Sequence, residues 1–470
     1  MSVDSVNSVD IGTLINGLLD AHPGELPYLV HGEDVVTREQ FRAAVDWEAS
    51  VFAGHGIGEG HKVMLQLPPS YTQVEVLLAL WQLGAQVMLV DHRLKPAEVD
   101  TLRSLCHPQF LIDTGSTGSG RSAIGFEPRY PVATTRCPDG RGAVTDHRLV
   151  QFSSGSTGLP KVIGRTTASL AAEIDRFDQI EGMPTLGERL LLLSSTAHSF
   201  GLIAGLLHSL ASGTIVVFAR RLTAAGILAD AASNRVRVIF GTPFHYELLS
   251  TAREVPDLPE LRAAVSGGEI MPPETAARFA ERFSVAVGES YGTTESGVIA
   301  MDVSGASRPS VGPAAPGMEV RIRDAALEVR LPEGSPYLYE ASGLRYVDGW
   351  LRTFDRAELD ESGAVHLAGR SDSLVVVGGL KLDLTEVETV LCGHPDVTGA
   401  VVVHADVTEA YVSTRDDAGP TAGELLRWCQ ERLADYKVPR TVQVLPALPR
   451  TSNGKLVRRR DVLLAQSAAR

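Results

Sequence analysis

The sequence predicts an α/β protein: a large N-terminal domain of layered sheets and helices, a β-rich subdomain, and a small α+β C-terminal domain. Three observations predict it. At 470 residues the chain exceeds one ordinary core. Strand-like and helical segments alternate over roughly the first 310 residues, the order that builds parallel sheets. Beyond about residue 310 the segments shorten and are separated by Gly, Pro and Asp.

In chain order, residues 37–54 read as an amphipathic helix and 63–67 as a short apolar strand. A helix over 74–83 and a strand over 87–90 follow, ending at Asp91. Segments 190–193, 214–218 and 236–240 are mostly apolar and are candidates for buried strands, and the apolar run 285–287 ends another. Short strands at 319–323, 326–331 and 344–347 form the β-rich part, 310–371. Asp360-Glu361-Ser362-Gly363 is a turn before a strand at 364–368, and Gly369-Arg370-Ser371-Asp372 is a polar connector. Strand 374–377, helix 385–391, strand 399–404 and helix 421–433 then make a separate domain. The expected boundary is 1–371 against 372–470.

Bulk properties exclude several functions. A net charge of −14 disfavours nucleic acid, whose backbone needs basic patches. No run of 18 apolar residues is present, so no membrane span is expected. The N-terminus lacks the basic and apolar regions of a secretory signal, which points to the cytoplasm. The four cysteines are scattered without a C-x-x-C pair and read as structural thiols.

Residues 152–161, Phe-Ser-Ser-Gly-Ser-Thr-Gly-Leu-Pro-Lys, carry the densest chemistry. Ser153, Ser154, Ser156 and Thr157 supply hydroxyl donors. Gly155 and Gly158 let backbone N–H groups turn inward around an anion, and Lys161 adds a cation. This suits a loop that holds a polyphosphate, without the spacing of a Walker A loop. A Ser/Gly-rich surface loop has the same composition, and residues 115–120 repeat the Gly-Ser-Thr-Gly tetrad without the Pro-Lys ending.

Four further segments are rich in polar groups. Tyr291-Gly292-Thr293-Thr294-Glu295 follows an apolar run. It offers a flat ring, two hydroxyls and a hard anionic ligand suited to Mg²⁺, or it is an ordinary turn with a solvated glutamate. Asp355 ends the aromatic run Trp350–Phe354, where its carboxylate suits a diol or simply opens a turn. Arg370 brings a multi-donor guanidinium to the domain junction, or lies on a surface turn. Lys455 follows the Asn453-Gly454 turn signal, near the basic run Arg458-Arg459-Arg460. It is a mobile cation or an ordinary exposed lysine.

Taken together, in order and spacing, these segments resemble the adenylate-forming superfamily: acyl- and aryl-CoA ligases, firefly luciferase and nonribosomal peptide adenylation domains. The resemblance spans about residues 25–460. It implies an AMP-forming acid–thiol ligase that uses ATP and Mg²⁺ to make an acyl-adenylate and pyrophosphate. The acyl group then passes to CoA or to a carrier-protein phosphopantetheine acting in trans. Carried over residue by residue, Ser153–Gly158 and Lys161 hold the β- and γ-phosphates. Thr294 touches the α-phosphate, Glu295 the metal, and Tyr291 the adenine, flanked by Gly268, Glu269, Gly292 and Thr293. Asp355 and Arg370 bind the ribose. Lys455 bridges carboxylate and α-phosphate in the first step, and Asp372 is the hinge of a mobile C-terminal domain. This chain departs from the family in lacking glycine after Lys161 and in having Phe354 before the ribose aspartate, where glycine is usual.

The segment Ser195–Leu202 resembles the acyl-pocket region, with His198, Ser199, Phe200 and Gly201 as candidates. His198 is a gate or carboxylate-side residue, or a core histidine. No acid occurs from Leu190 to Leu210, so a substrate α-ammonium would have no counter-ion there. That disfavours an amino-acid-activating enzyme of the nonribosomal type. Further walls are expected from Phe244, Ser266, Gly267 and Gly288, the small residues leaving room for a flat ring. An aryl or heteroaryl acid is favoured over a long fatty acid. A non-catalytic nucleotide-binding protein is the remaining alternative, opposed by the presence of Lys455, Glu295 and the whole loop.

Overall fold

In a computed structural model the structure describes residues 10–467, apart from 93, 95, 116–125, 154–160, 340–344, 371–373, 378–379, 406, 416–418, 434–436 and 452–454. The α/β expectation holds. The chain divides into two compact units. One comprises Met1–Val320, Glu328–Leu351 and Asp360–Val365; the other comprises Arg321–Leu327, Arg352–Leu359 and His366–Arg470.

The first unit contains an eight-stranded sheet. Its order is Gly297–Asp302, Val287–Thr293, Ala263–Gly267, Val238–Gly241, Arg189–Leu192, Ile215–Phe218, Pro27–His31 and Asp34–Thr37. The inner pairs are parallel and each outer pair is an antiparallel hairpin. Strands 215–218, 238–241 and 263–267 are buried at every position, as strands covered on both faces must be. Leu191, Val217, Ile239, Ala264 and Val287 meet Ile227, Leu249 and Phe279 of the covering helices in one core.

A six-stranded sheet repeats the plan, ordered Ala133–Arg136, Phe110–Asp113, Lys62–Gln66, Gln86–Leu89, His147–Ser153 and Lys161–Thr166. Three parallel inner pairs are flanked by antiparallel edges. Helix Arg38–Gly54 begins where Thr37 and Gln40 form a capping box. Helix Tyr71–Gln82 is buried along almost its whole length, polar Thr72, Gln73 and Glu75 included.

A five-stranded sheet runs Val320–Arg323, Ala326–Arg330, Trp350–Leu359 and Tyr346–Val347, with Val365–Arg370 also paired to 350–359. Two readings need correction here. Asp355 lies within a ten-residue strand and opens no turn. Gly369 and Arg370 end a strand, so the connector is shorter than expected. The second unit's own core packs helices Leu384–Cys392 and Ala422–Gln430 on the sheet Val397–His404, Thr408–Thr414 and Thr441–Leu445. Its second helix stops at Gln430, three residues before the expected end. None of the four cysteines forms a disulfide, and Cys106 and Cys429 are buried. Among the described residues no helix is long and apolar enough to cross a membrane.

His208 sits where the π-helical turn Phe200–Leu207 passes into helix His208–Ser212, 1% exposed, its ring 6.2 Å from that of Phe177. Burial pushes its imidazole pKa down from 6.5 to about 4. The unfolded chain therefore binds a proton near pH 6.5 that the folded chain refuses until about pH 4. The resulting stability is fully present above pH 6.5 and is lost as pH falls through that window, by up to about 3 kcal/mol. His208→Gln is expected to flatten the fall in melting temperature between pH 7 and 4; an unchanged slope would assign the acid sensitivity to other groups.

Candidate active site

The two most chemical segments of the sequence occupy equivalent places. Strand 147–153 runs parallel to its neighbour 86–89, then returns as antiparallel strand 161–166, with Ser153 opposite Lys161. Strand 287–293 runs parallel to 263–267, then returns as 297–302. Each motif thus has described residues on an edge hairpin, Ser153 and Lys161 on the first and Tyr291–Thr293 on the second, at the C-terminal end of a parallel strand. Lys161 opens the return strand and is half-buried. Ser154, Gly155, Ser156, Thr157 and Gly158 lie outside the described residues.

The second tip is locked by its own hydroxyls. Thr293 Oγ1 lies 2.9 Å from Ser296 Oγ and accepts the Ser296 N–H at 3.2 Å. Gly292 abuts the carbonyl of Gly297, where a side chain would collide. Thr294 and Glu295 are left half-buried at the bend, and Tyr291 is half-buried on the strand before it. Tyr337 donates its phenol O–H to Glu295 Oε1 at 2.9 Å. Burial, reinforced by the Glu295 charge, pushes that phenol's pKa up, so it remains a donor. Tyr337 belongs to a segment laid along the phosphate hairpin. Gly164 N–H donates to Pro336 O at 2.8 Å and Leu338 N–H to Val162 O at 3.1 Å. The tyrosine was invisible to motif reading because its contact spans 42 residues.

Glu289 was also missed. It is 5% exposed, accepts the Met271 N–H at 3.0 Å and Arg308 Nη1 at 2.8 Å, and Arg308 Nη2 reaches Met271 O at 3.2 Å. Burial raises its pKa, opposed by the Met271 N–H and the guanidinium. This pairing ties the loop after strand 263–267 to strand 287–293. The loop contains Gly268, at φ +93° a left-handed position suited to glycine, and half-buried Glu269.

The acyl segment is fastened to the phosphate hairpin. Ser199 Oγ donates to Gln151 Oε1 at 2.8 Å, while Gln151 Nε2 donates to Ala197 O at 2.9 Å. Thr196 Oγ1 donates to Gln73 Oε1 at 2.5 Å. His198 starts the turn, its carbonyl accepting the Leu202 N–H at 2.8 Å. Gly201 packs directly on the Ser195 carbonyl, so a side chain there would displace the segment.

Two pocket expectations change. Gly267 and Ser266 do not leave open space on this side. The Phe200 ring lies where a Gly267 Cβ would come within 2.7 Å of it, stacked on Phe240 at 5.1 Å and 24°, and Ser266 is 1% exposed. Gly288 abuts the Asp302 carbonyl and spaces two strands. Phe244 is 39% exposed, with the His245 ring edge-on at 5.6 Å. His245 Nδ1 lies 2.9 Å from Thr242 Oγ1, and burial lowers its pKa to about 4, so it is neutral near pH 7.

In the second unit, Asp355 is half-buried, its N–H donating to Thr353 Oγ1 at 3.1 Å. Arg370 is the last residue of its strand, and Asp372 lies outside the described residues. Lys455 is exposed, its carbonyl accepting the Thr451 N–H at 2.6 Å. The basic run beyond it is no set of free cations. Arg458 is bidentate on Glu388, Arg459 pairs with Asp461, and Arg460 is bidentate on Glu409 at 2.7 Å.

The sequence signature of the AMP-binding enzyme matches residues 19–336, and that of the AMP-binding enzyme C-terminal domain matches 386–455. The chain belongs to the AMP-binding enzyme family. The expected adenylate-forming superfamily and AMP-forming acid–thiol ligase class are thereby borne out. The chain is 28% identical to a feruloyl-CoA synthase of Amycolatopsis sp over 91% of its length and 94% of the relative's. It is 27% identical to a benzoate–CoA ligase of Thauera aromatica, over 86% and 81%. The fold matches the crystal structure of an anthranilate CoA ligase in complex with anthranoyl-AMP, with a TM-score of 0.78, 22% identity and 98% of each chain covered. Neither the amino-acid-activating nor the non-catalytic alternative is favoured by these likenesses.

Phe354 stands in a backbone conformation that favours glycine. It has φ +65° in mid-strand, a left-handed conformation that costs a residue with a Cβ about 1–2 kcal/mol. The Arg352 guanidinium lies 5.5 Å from its ring. Replacing Phe354 by Ala and by Gly removes the same ring, yet only Gly relieves the backbone. The Gly variant is expected to be the more stable by about 1 kcal/mol in denaturant titration, the reverse of the usual order in a strand. An Ala variant equal to or above the Gly variant would refute the strain.

Proposed function

We propose that this enzyme activates a small aromatic carboxylic acid with ATP and transfers it to CoA. The observation that carries this reading is the paired edge hairpins, one tipped by the hydroxyl- and glycine-rich loop before Lys161 and the other by Tyr291–Glu295. Tyr337 joins them in one compact unit. In the first step a carboxylate oxygen attacks the α-phosphorus of ATP, the bond to the bridging oxygen breaks, and pyrophosphate leaves. In the second a thiolate sulfur attacks the acyl carbon and AMP leaves.

Such transfer depends on positioning and on neutralising charge. Residues 153–158 and Lys161 would hold the β- and γ-phosphates, Thr294 the α-phosphate, and Tyr291 the adenine. Asp355 and Arg370 would serve the ribose, with Asp372 as the hinge of the C-terminal domain. Glu295 fits a Mg²⁺ ion: Tyr337 occupies Oε1, which fixes the carboxylate and leaves Oε2 to the ion. Among the described residues no three His, Cys, Asp or Glu converge into a metal cage. A single carboxylate plus phosphate oxygens and water is the arrangement Mg²⁺ favours. Bound there, the ion would neutralise phosphate charge.

A flat, uncharged acid body suits the acyl side. Phe200 offers a ring backed by the buried Phe240, and no acid lies between Leu190 and Leu210 to pair an ammonium. The curated relatives that act on ferulate and benzoate support an aryl acid and CoA. With a panel of benzoates, cinnamates, fatty acids and amino acids, AMP is the expected nucleotide product, greatest with an aryl acid. CoA is expected to outperform a carrier protein as acceptor. ADP as product would refute adenylation, and a winning amino acid would refute the pocket assignment.

Lys455→Ala is expected to slow adenylate formation by about 10²–10³, the usual loss for one charge-stabilising contact. It is expected to spare thioester formation from synthetic acyl-adenylate, because the lysine acts only in the first step. Equal losses in the two half-reactions would make the lysine structural.

A further inference from the structure

Glu173 is the most fully enclosed carboxylate near either hairpin tip, and no step above uses it. It lies on helix Thr167–Gln179, directly after the return strand of the phosphate hairpin, and is 2% exposed. Its Oε2 pairs with Arg165 Nη2 at 2.8 Å, and Arg165, on that return strand, is 3% exposed. Arg165 also donates to Ser169 Oγ at 3.0 Å and Ser169 O at 3.1 Å. The other carboxylate oxygen, Oε1, accepts the Val298 N–H at 2.9 Å, 125 residues away. The same carboxylate presses on Cα of Gly297, at φ +72°, where any Cβ would overlap it. Gly297 and Val298 begin the strand that returns from Thr294 and Glu295.

We propose that Arg165 and Glu173 form a positioning pair that sets the Thr294–Glu295 tip against the phosphate hairpin, and so tunes ATP affinity. The inference rests on the adenylating reading. A buried ion pair contributes little net stability, because desolvation offsets the attraction. The directional bonds that each partner makes elsewhere, Glu173 Oε1 with the Val298 N–H and Arg165 with Ser169, nonetheless admit one register. Here a strand, a helix and the first peptide of a second hairpin meet at one carboxylate. A shift of the tip by one residue would leave the Val298 N–H unpaired and drive a Cβ-bearing residue into the carboxylate.

The test is calorimetric titration of ATP with magnesium chloride, which needs no knowledge of the acid. Glu173→Gln removes the charge and keeps the shape. Arg165→Met with Glu173→Leu removes both charges, leaves no buried ion, and serves if the single variant does not fold. Leu228→Ala, in the core under helix 224–233, is the control for lost stability alone. The double variant and any folded single variant are expected to bind ATP on the order of tenfold more weakly. The control is expected to melt earlier with wild-type affinity. Unchanged affinity in the double variant, or an equal loss in the control, would overturn the pair's role. Wild-type protein that binds no ATP would overturn the adenylating reading itself.

Discussion

The contact on which the nucleotide side of this enzyme depends is the buried Arg165–Glu173 pair with its bond to Val298. Two edge hairpins from two different sheets carry the groups proposed to bind the nucleotide, and neither sheet's ladder includes the other hairpin. The segment 336–338 pairs by backbone with the return strand 161–166, and side chains complete the join. Glu173 makes it from the helix side, and Tyr337 makes it from the segment laid on the phosphate strand.

Several glycines in the region serve this closeness rather than an open pocket. Gly201 meets the Ser195 carbonyl, Gly288 meets the Asp302 carbonyl, Gly292 meets the Gly297 carbonyl, and Gly267 meets the Phe200 ring. Each lets two chains approach nearer than a Cβ permits. Phe200 fills the gap beside Gly267 and stacks on the buried ring of Phe240. Gln151 lies two residues before the end of the strand that leads into the phosphate loop. It holds Ala197 and Ser199, so phosphate and acyl segments share one anchor.

Much of this was legible in the sequence. Buried parallel strands announced themselves as mostly apolar runs, because both faces are covered. Hydroxyl- and glycine-dense segments marked the two hairpins at Ser153 and Lys161 and at Tyr291–Glu295, by residue type alone. Phe354 was legible as a departure, although its +65° φ was not. Helix 422–430 ends before the expected 433, and Gly369-Arg370 joins a strand, because boundaries depend on what each end packs against.

The sequence by itself determined the class of fold, the order of the chemical segments, and the absence of an acid to meet a substrate ammonium. Those follow from periodicity, residue type and spacing, which are local. The tertiary structure alone decided that Glu173, Tyr337, Glu289 and Gln151 support the site, and that the glycines space strands. The hydrogen bonds that join them to distant strands and segments span 18 to 125 residues, so no local pattern records them. Only the packed chain brings a buried carboxylate to the one peptide N–H that needs it.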